Sequence, residues 1–313
     1  MVLSLDAIDV VKEPTFPLQQ RISLAAFTSY RVGGKADWFT LPKTSSDIAA
    51  SLQWAQSHKL PVTLLGAGSN LLVSDRGLRG LVVCTRHLRG VDFDETTGQL
   101  TAAAGEPLPN LAWKAARRGW RGLEWAVGIP GTVGGAVFMN AGAHRACTAD
   151  SLIQAHGVTL AGEPIVLSPQ ELNFSYRTSS LQSKLCMVTQ ATFQLTPGDA
   201  VAEVMADTQA AIAQRRSTQP YHLPSCGSVF RNPSSHKAGW LIEQTGLKAL
   251  QIGQAQVSPM HANFIVNVGG ATAEDVLSLI RSVQDEVQDK WNILLHPEVR
   301  LLGTFDGPQF RTS

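Results

Sequence analysis

No stretch of this sequence approaches the roughly 20 consecutive apolar residues of a membrane span. Charge of one sign is also missing: 26 Lys and Arg stand against 25 Asp and Glu, a net of +1, so no global field favours nucleic acid or an anionic membrane. Any anion binding therefore has to come from local groups. Cys84, Cys147, Cys186 and Cys226 are scattered without a CxxC pair, which argues against a structural zinc site and a secreted disulfide framework. Buried free thiols are the plain reading of all four. The N-terminus has no basic segment leading into an apolar run, because Asp6 and Asp9 interrupt it and Lys12 and Glu13 follow. A cytoplasmic location is the default expectation.

Familiar nucleotide and metal motifs are absent as well. There is no GxxxxGK[ST], which disfavours a P-loop NTPase, and no GxGxxG opening a helix. His144, His156, His222, His236 and His261 show no metal-ligand spacing such as HExxH, and most read as surface or core histidines. No internal repeat, low-complexity tract or heptad pattern is present.

What remains is a 313-residue chain, 44% hydrophobic and 16% charged, the balance of a globular protein of two or three domains. Thr44-Ser-Ser-Asp47 reads as a capping box ahead of a helix with Ile48, Leu52 and Ala55 on one face. Pro61–Leu65, Leu71–Val73 and Gly80–Cys84 read as strands. Further strands are expected at Thr101–Ala104, Leu152–Leu160, Met187–Leu195, Ala262–Val268 and Glu298–Leu302. Helices are expected at Leu108–Arg118 before Gly119, at Ala200–Arg216, at Ala238–Thr245 before Gly246, and at Thr272–Lys290.

Two glycine clusters stand out: Gly66-Ala-Gly-Ser-Asn70, and the longer run from Gly128 to Gly142. Glycines permit positive φ and remove side chains that would hold a ligand off the backbone. Successive amides can form an anion-binding nest, which suits a pyrophosphate and an extended dinucleotide. Tight turns are the competing reading, stronger for one Gly-x-Gly than for both clusters together.

Ser29-Tyr-Arg-Val-Gly-Gly-Lys-Ala-Asp37, Gly66-Ala-Gly-Ser-Asn-Leu71, Gly128-Ile-Pro-Gly-Thr-Val-Gly-Gly135 and Asn140-Ala-Gly-Ala143 resemble the UDP-N-acetylenolpyruvoylglucosamine reductase (MurB) family. So do Tyr176-Arg177, Cys226-Gly-Ser-Val-Phe-Arg-Asn-Pro233, Ala238-Gly-Trp-Leu-Ile-Glu243, His261-Ala-Asn263 and His296-Pro-Glu-Val-Arg300. The matches keep their order over about residues 21–303. The compact Tyr176–Leu195 stretch resembles the family's shorter, type II form.

The resemblance implies an α+β fold: a two-subdomain FAD-binding module of the vanillyl-alcohol oxidase (PCMH) type plus a C-terminal α+β substrate-binding domain. The expected divisions are an N-terminal extension (1–20), subdomain 1 (21–85), subdomain 2 (86–196), the substrate-binding domain (197–298), and a strand and tail (299–313) returning to the FAD module. It implies a flavoprotein oxidoreductase of peptidoglycan synthesis, with FAD as cofactor and NADPH as co-substrate entering one pocket in turn with a UDP-sugar enolpyruvyl ether. No metal, nucleic acid or membrane partner is implied, and a monomer is left open.

By the same resemblance, Ser228 is the proton donor, Arg177 polarises the substrate carboxylate and Glu298 is the third catalytic residue. Read without it, the three are a turn serine, a surface salt-bridge arginine and a strand-edge acid. Arg31, Gly33, Gly66, Ala67, Gly68, Ser69, Asn70, Leu71, Gly128, Ile129, Pro130, Gly131, Val133, Gly134, Asn140 and Gly142 are implied at the cofactor. Tyr176, Arg231, Asn232 and His261 are implied at the substrate. One departure is Thr218, where the family often carries a lysine; Lys237 and Lys248 are the nearby candidates to compensate. Two other readings stay in view: another oxidase on the same flavin scaffold, and a catalytically silent nucleotide-binding protein.

Overall fold

The computed structural model describes residues 16–183 and 186–306. Most of the expected N-terminal extension (residues 1–15) and the end of the expected tail (307–313) lie outside the described residues. The expected boundary at residue 20 falls inside a strand, β1 (Leu18–Ser23), which pairs antiparallel with β2 (Lys35–Thr40), Leu18 opposite Thr40.

Helix α1 (Ser45–Ser57) starts where local chemistry requires. Asp47 N donates to Thr44 Oγ1 and Thr44 N to Asp47 Oδ2, both at 3.0 Å, satisfying two orphan amides. Ile48, Leu52 and Ala55 are its buried stripe. Then come β3 (Val62–Leu65), β4 (Leu71–Val73) and β5 (Leu78–Cys84); β3 and β5 complete a sheet ordered β1-β2-β5-β3, whereas β4 lies outside it. β3 and β5 are parallel, with Leu65 opposite Cys84, so the segments leaving both strands emerge side by side.

The second unit contains β6 (Val91–Asp94), β7 (Gln99–Ala103), α2 (Leu108–Ala116), α3 (Val133–Met139), β8 (Gly142–Ala143), β9 (Ala146–Cys147), β10 (Leu152–Thr159), β11 (Pro164–Leu167), α4 (Pro169–Leu172) and β12 (Cys186–Gln194). Five of these strands form an antiparallel sheet ordered β11-β10-β12-β7-β6. The second glycine cluster is not loop throughout, as expected from composition: Val133–Met139 is helical, with Thr132 Oγ1 accepting from Gly135 N. Gly134 is needed there because a Cβ would come within 2.9 Å of the Ala104 Cβ.

Helix α5 (Val201–Thr218) buries a narrow stripe, Val204, Thr208 and Ile212. Ile212 joins the core that holds Trp120 and Trp125, so α5 packs on the second unit. Arg121 fastens it, paired with Asp199 and, at 2.6 Å, with Asp207. The C-terminal unit holds α6 (Ala238–Thr245), β13 (Gln251–Ile252), β14 (Ala255–Val257), β15 (Ile265–Asn267) and α7 (Ala273–Trp291). Its core is the α7 stripe of Val276, Leu277, Ile280, Val283 and Val287 against Leu241, Ile242 and Ile265. Truncating such a buried leucine or isoleucine to alanine costs about 2–5 kcal/mol. The last strand, β16 (Arg300–Leu302), leaves that unit and pairs parallel with β4, Arg300 opposite Leu71.

Candidate active site

A cavity of about 1070 Å³ is lined from all three units. That is at the upper end for small-molecule sites and large enough for an extended ligand. Gly66 to Leu71 supply one part of its lining, Ile129 to Thr132 with Gly134 and Gly142 another, and Tyr176, Arg177, Ser228, Asn232, His261 and Glu298 a third. The glycines are needed where they stand. A Cβ on Gly66 would come within 2.7 Å of Thr132 Oγ1, and one on Gly68 (φ +64°) within 2.2 Å of the Phe27 carbonyl.

The polar cluster is built by backbone pairing. Val229 N donates to Asn263 O at 2.8 Å, Glu298 N donates to Val229 O at 2.7 Å, and Arg231 N donates to His296 O at 2.9 Å. The segment carrying Ser228 is thereby stitched to the segment carrying Glu298. Gly227 makes the turn before Ser228 at φ +78°. Asn70 Nδ2 donates to Glu298 O at 3.0 Å, joining the first glycine loop to the same place.

Arg177 Nε donates to Glu298 Oε1 at 2.9 Å and Arg177 Nη2 to Gly142 O at 2.7 Å. Its backbone is left-handed, φ 56°, within a turn closed by Thr178 N donating to Ser175 O at 3.1 Å. Burial pushes the Glu298 carboxyl above its ordinary range, although the Arg177 and Arg231 guanidiniums pull the other way. An ion pair ordinarily holds a carboxylate low; here desolvation outweighs it. His261 is pushed down by burial, and its Nδ1 accepts from Asn263 N at 3.2 Å, which leaves the proton on Nε2.

Six expected contacts lie off the cavity: Arg31, Gly33, Gly128, Val133, Asn140 and Arg231. Arg31 is exposed, and Val133 is in the apolar core. Gly33 is required by packing, because a Cβ would reach within 2.9 Å of the Val73 Cβ. Gly128 makes room for Arg215, whose Cδ would be 2.3 Å from a Cβ, and its carbonyl accepts from Tyr221 Oη at 2.5 Å. Asn140 caps α3 at φ 42° and donates from Nδ2 to Ser175 O at 2.9 Å, so it props the arginine turn. Arg231 lines a separate cleft of about 210 Å³ with Tyr176, Asn232 and His296. Of the two compensating lysines, Lys237 lines the main cavity, as Thr218 does, whereas Lys248 is not part of the lining and is paired at 2.7 Å with the lining residue Glu243.

Arg300 and Gln182 line the cavity and were not anticipated. Arg300 Nη1 donates to Gln182 Oε1 at 3.0 Å, and Gln182 Nε2 to Arg177 O at 3.0 Å. Arg300 stands two residues after Glu298, and the period-two geometry of extended chain could have flagged it. Gln182 has no such local signal. Among the described residues, no group of three or more His, Cys, Asp or Glu is placed to hold a metal ion, and no helix is long and apolar enough to cross a membrane.

Two glycine-built loops on a large cavity, with an arginine, a hydroxyl and a buried carboxyl beside them, fit a flavin dinucleotide. The family model "FAD binding domain" matches residues 36–168. This is an FAD-dependent oxidoreductase fold and site. A second model, "UDP-N-acetylenolpyruvoylglucosamine reductase, C-terminal domain", matches residues 219–302. The UDP-N-acetylenolpyruvoylglucosamine reductase of Nostoc sp. is 59% identical over 288 residues, 92% of this chain and 87% of that one. That of Synechocystis sp. is 56% identical over 290 residues, 92% of each chain. The crystal structure of the enzyme from Thermus caldophilus superposes with a TM-score of 0.79 at 34% identity, covering 92% of this chain and 100% of that chain. The chain belongs to the UDP-N-acetylenolpyruvoylglucosamine reductase family.

Proposed function

We propose that this protein catalyses the NADPH-dependent reduction of UDP-N-acetyl-3-O-(1-carboxyvinyl)-glucosamine to UDP-N-acetylmuramate, a cytoplasmic step of peptidoglycan synthesis. The observation that carries the reading is the meeting of Arg177, Ser228 and Glu298, from three separate segments, on a cavity also lined by both glycine loops. The chemistry that FAD supplies when bound, held by Gly66 to Leu71 and Ile129 to Gly131, is hydride transfer between NADPH and the substrate's alkene.

Reduction at the terminal alkene carbon pushes negative charge into the conjugated carboxylate. Arg177 is suited to meet that charge: its guanidinium cannot be deprotonated, and the bonds to Glu298 and Gly142 hold its fork while Nη1 has no hydrogen-bond partner among the described residues. Ser228 gives its hydroxyl proton to the carbon bearing the carboxylate. Serine is a weak acid, so this requires the strongly basic enolate-like carbon and nearby cations to stabilise the alkoxide. An ionised Glu298 would oppose the developing charge. The upward push of burial favours its neutral form, which can donate a hydrogen bond instead. Tyr176, Asn232 and His261 take polar contacts to the sugar nucleotide, with Lys237 a further cation on the same cavity lining as Thr218.

The test is the visible spectrum of the purified protein under anaerobic conditions. It should be yellow, bleach on adding NADPH and recover its colour on adding the enolpyruvyl sugar nucleotide. A colourless preparation unable to take up flavin would contradict the reading. Slow bleaching by NADPH with fast recovery in air would instead favour an oxidase.

A further inference from the structure

Arg86 is absent from the cavity lining, yet it spends its guanidinium on the loop that forms part of that lining. Nη2 donates to Ala67 O at 2.7 Å and Nε to Gly66 O at 3.3 Å. The remaining bonds run to a second segment, Nη2 to Phe27 O at 2.9 Å and Nη1 to Ala26 O at 3.3 Å. Its position follows from the sheet. The parallel register of Leu65 with Cys84 brings the exits of β3 and β5 together, so the second residue past β5 lies beside the first two past β3.

A trans peptide is planar, with its N–H and C=O on opposite sides. Turning the Gly66 and Ala67 carbonyls onto Arg86 therefore turns the Ala67 and Gly68 amides away from it. Ser29 does the same one peptide further on: its N donates to Gly68 O at 3.1 Å, which turns the Ser69 amide. Neither the Ala67 nor the Gly68 amide has a backbone acceptor among the described residues. Three successive N–H groups facing one way form a concave anion site.

We infer that Arg86 is a positioning residue that holds the Ala67 and Gly68 amides, in line with the Ser69 amide, toward the cavity to receive the pyrophosphate of a dinucleotide. The inference rests on the reading of this cavity as a flavin dinucleotide site. Arg86 does not touch the ligand; its cation acts by holding carbonyls out of the ligand's way. A carbonyl turned inward would present a partial negative charge to an anion. Lysine could not replace the guanidinium, because an ammonium lacks the planar fork that bonds to two loops at once.

The experiment uses the full-length protein freed of flavin, titrated with FAD, ADP or riboflavin and followed by flavin fluorescence or heat. For both Arg86→Ala and Arg86→Lys, FAD and ADP should bind about tenfold or more weakly, the loss expected for hydrogen bonds to a charged group. Riboflavin, which has no phosphate, should bind both variants as it binds the wild type, and added guanidinium should restore FAD binding to Arg86→Ala. Equal weakening of riboflavin and FAD would show a merely structural role and overturn the proposal, as would unchanged FAD binding. Should Arg86→Ala fail to fold, Arg86→Lys still decides. Wild-type protein unable to bind FAD would defeat the underlying reading as well, whereas wild-type binding matched by the variants would defeat only the role of Arg86.

Discussion

Glu298 Oε1 lies 2.9 Å from Arg177 Nε, although 121 positions separate the two residues in the chain. The carboxyl is buried enough that its proton affinity is raised despite this cationic neighbour. The pair is thus poised between an ion pair and a neutral acid beside a guanidinium, and pH decides which.

The sign of the pH dependence follows. An acid whose folded pKa is raised binds its proton more tightly in the native state. Stability tied to that proton is fully present below the unfolded pKa and is lost as pH rises through the higher folded pKa. The rate of substrate reduction should fall over the same rise, above the ordinary glutamate range. Glu298→Gln should flatten that limb of the rate profile and remove the matching slope in thermal midpoint against pH.

Arg177→Lys should keep a positive charge but lose the fork that reaches Glu298 and Gly142 together. Losing one charge-assisted bond corresponds to roughly 10- to 100-fold in rate. The loss should appear in substrate reduction with little change in flavin content. Half-reaction rates from anaerobic mixing check this.

Asn140→Ala removes the bond to Ser175 O and the one that Asn140 Oδ1 accepts from Ala149 N at 3.0 Å. Leaving buried groups unpaired costs about 1–3 kcal/mol. A lower urea midpoint is expected, with activity falling more than bound flavin, because the turn that holds Arg177 loses its prop.

Cys226 is a further check on burial near Ser228. Desolvation pushes its thiol up to about 12, so the thiolate needed for alkylation is nearly absent at neutral pH. Mass spectrometry after iodoacetamide should find Cys226 unmodified in the native protein and labelled once it is unfolded.

Much of this fold could be read from local chemistry. The Thr44–Asp47 capping box and Gly246, at φ 89°, are signals within one helical turn of the ends they mark. The proposed trio of Arg177, Ser228 and Glu298 was legible only through the ordered motifs that resemble a family, since nothing in a turn serine or a lone arginine announces its partners. What stayed hidden depends on contacts distant in sequence. Gly128 is glycine because Arg215 packs over it, and Asn140 is an asparagine that braces a turn 35 positions away. Likewise α5 rides on the second unit through Arg121 and Ile212, which its own periodicity does not reveal.

The most direct test compares wild type and Ser228→Ala in separate anaerobic half-reactions. Flavin bleaching by NADPH should be nearly unchanged in the variant. Recovery of the colour by the enolpyruvyl sugar nucleotide should slow by roughly 10²- to 10⁴-fold, the usual worth of a positioned proton donor. Recovery at the wild-type rate would contradict the assignment of Ser228 and with it the mechanism.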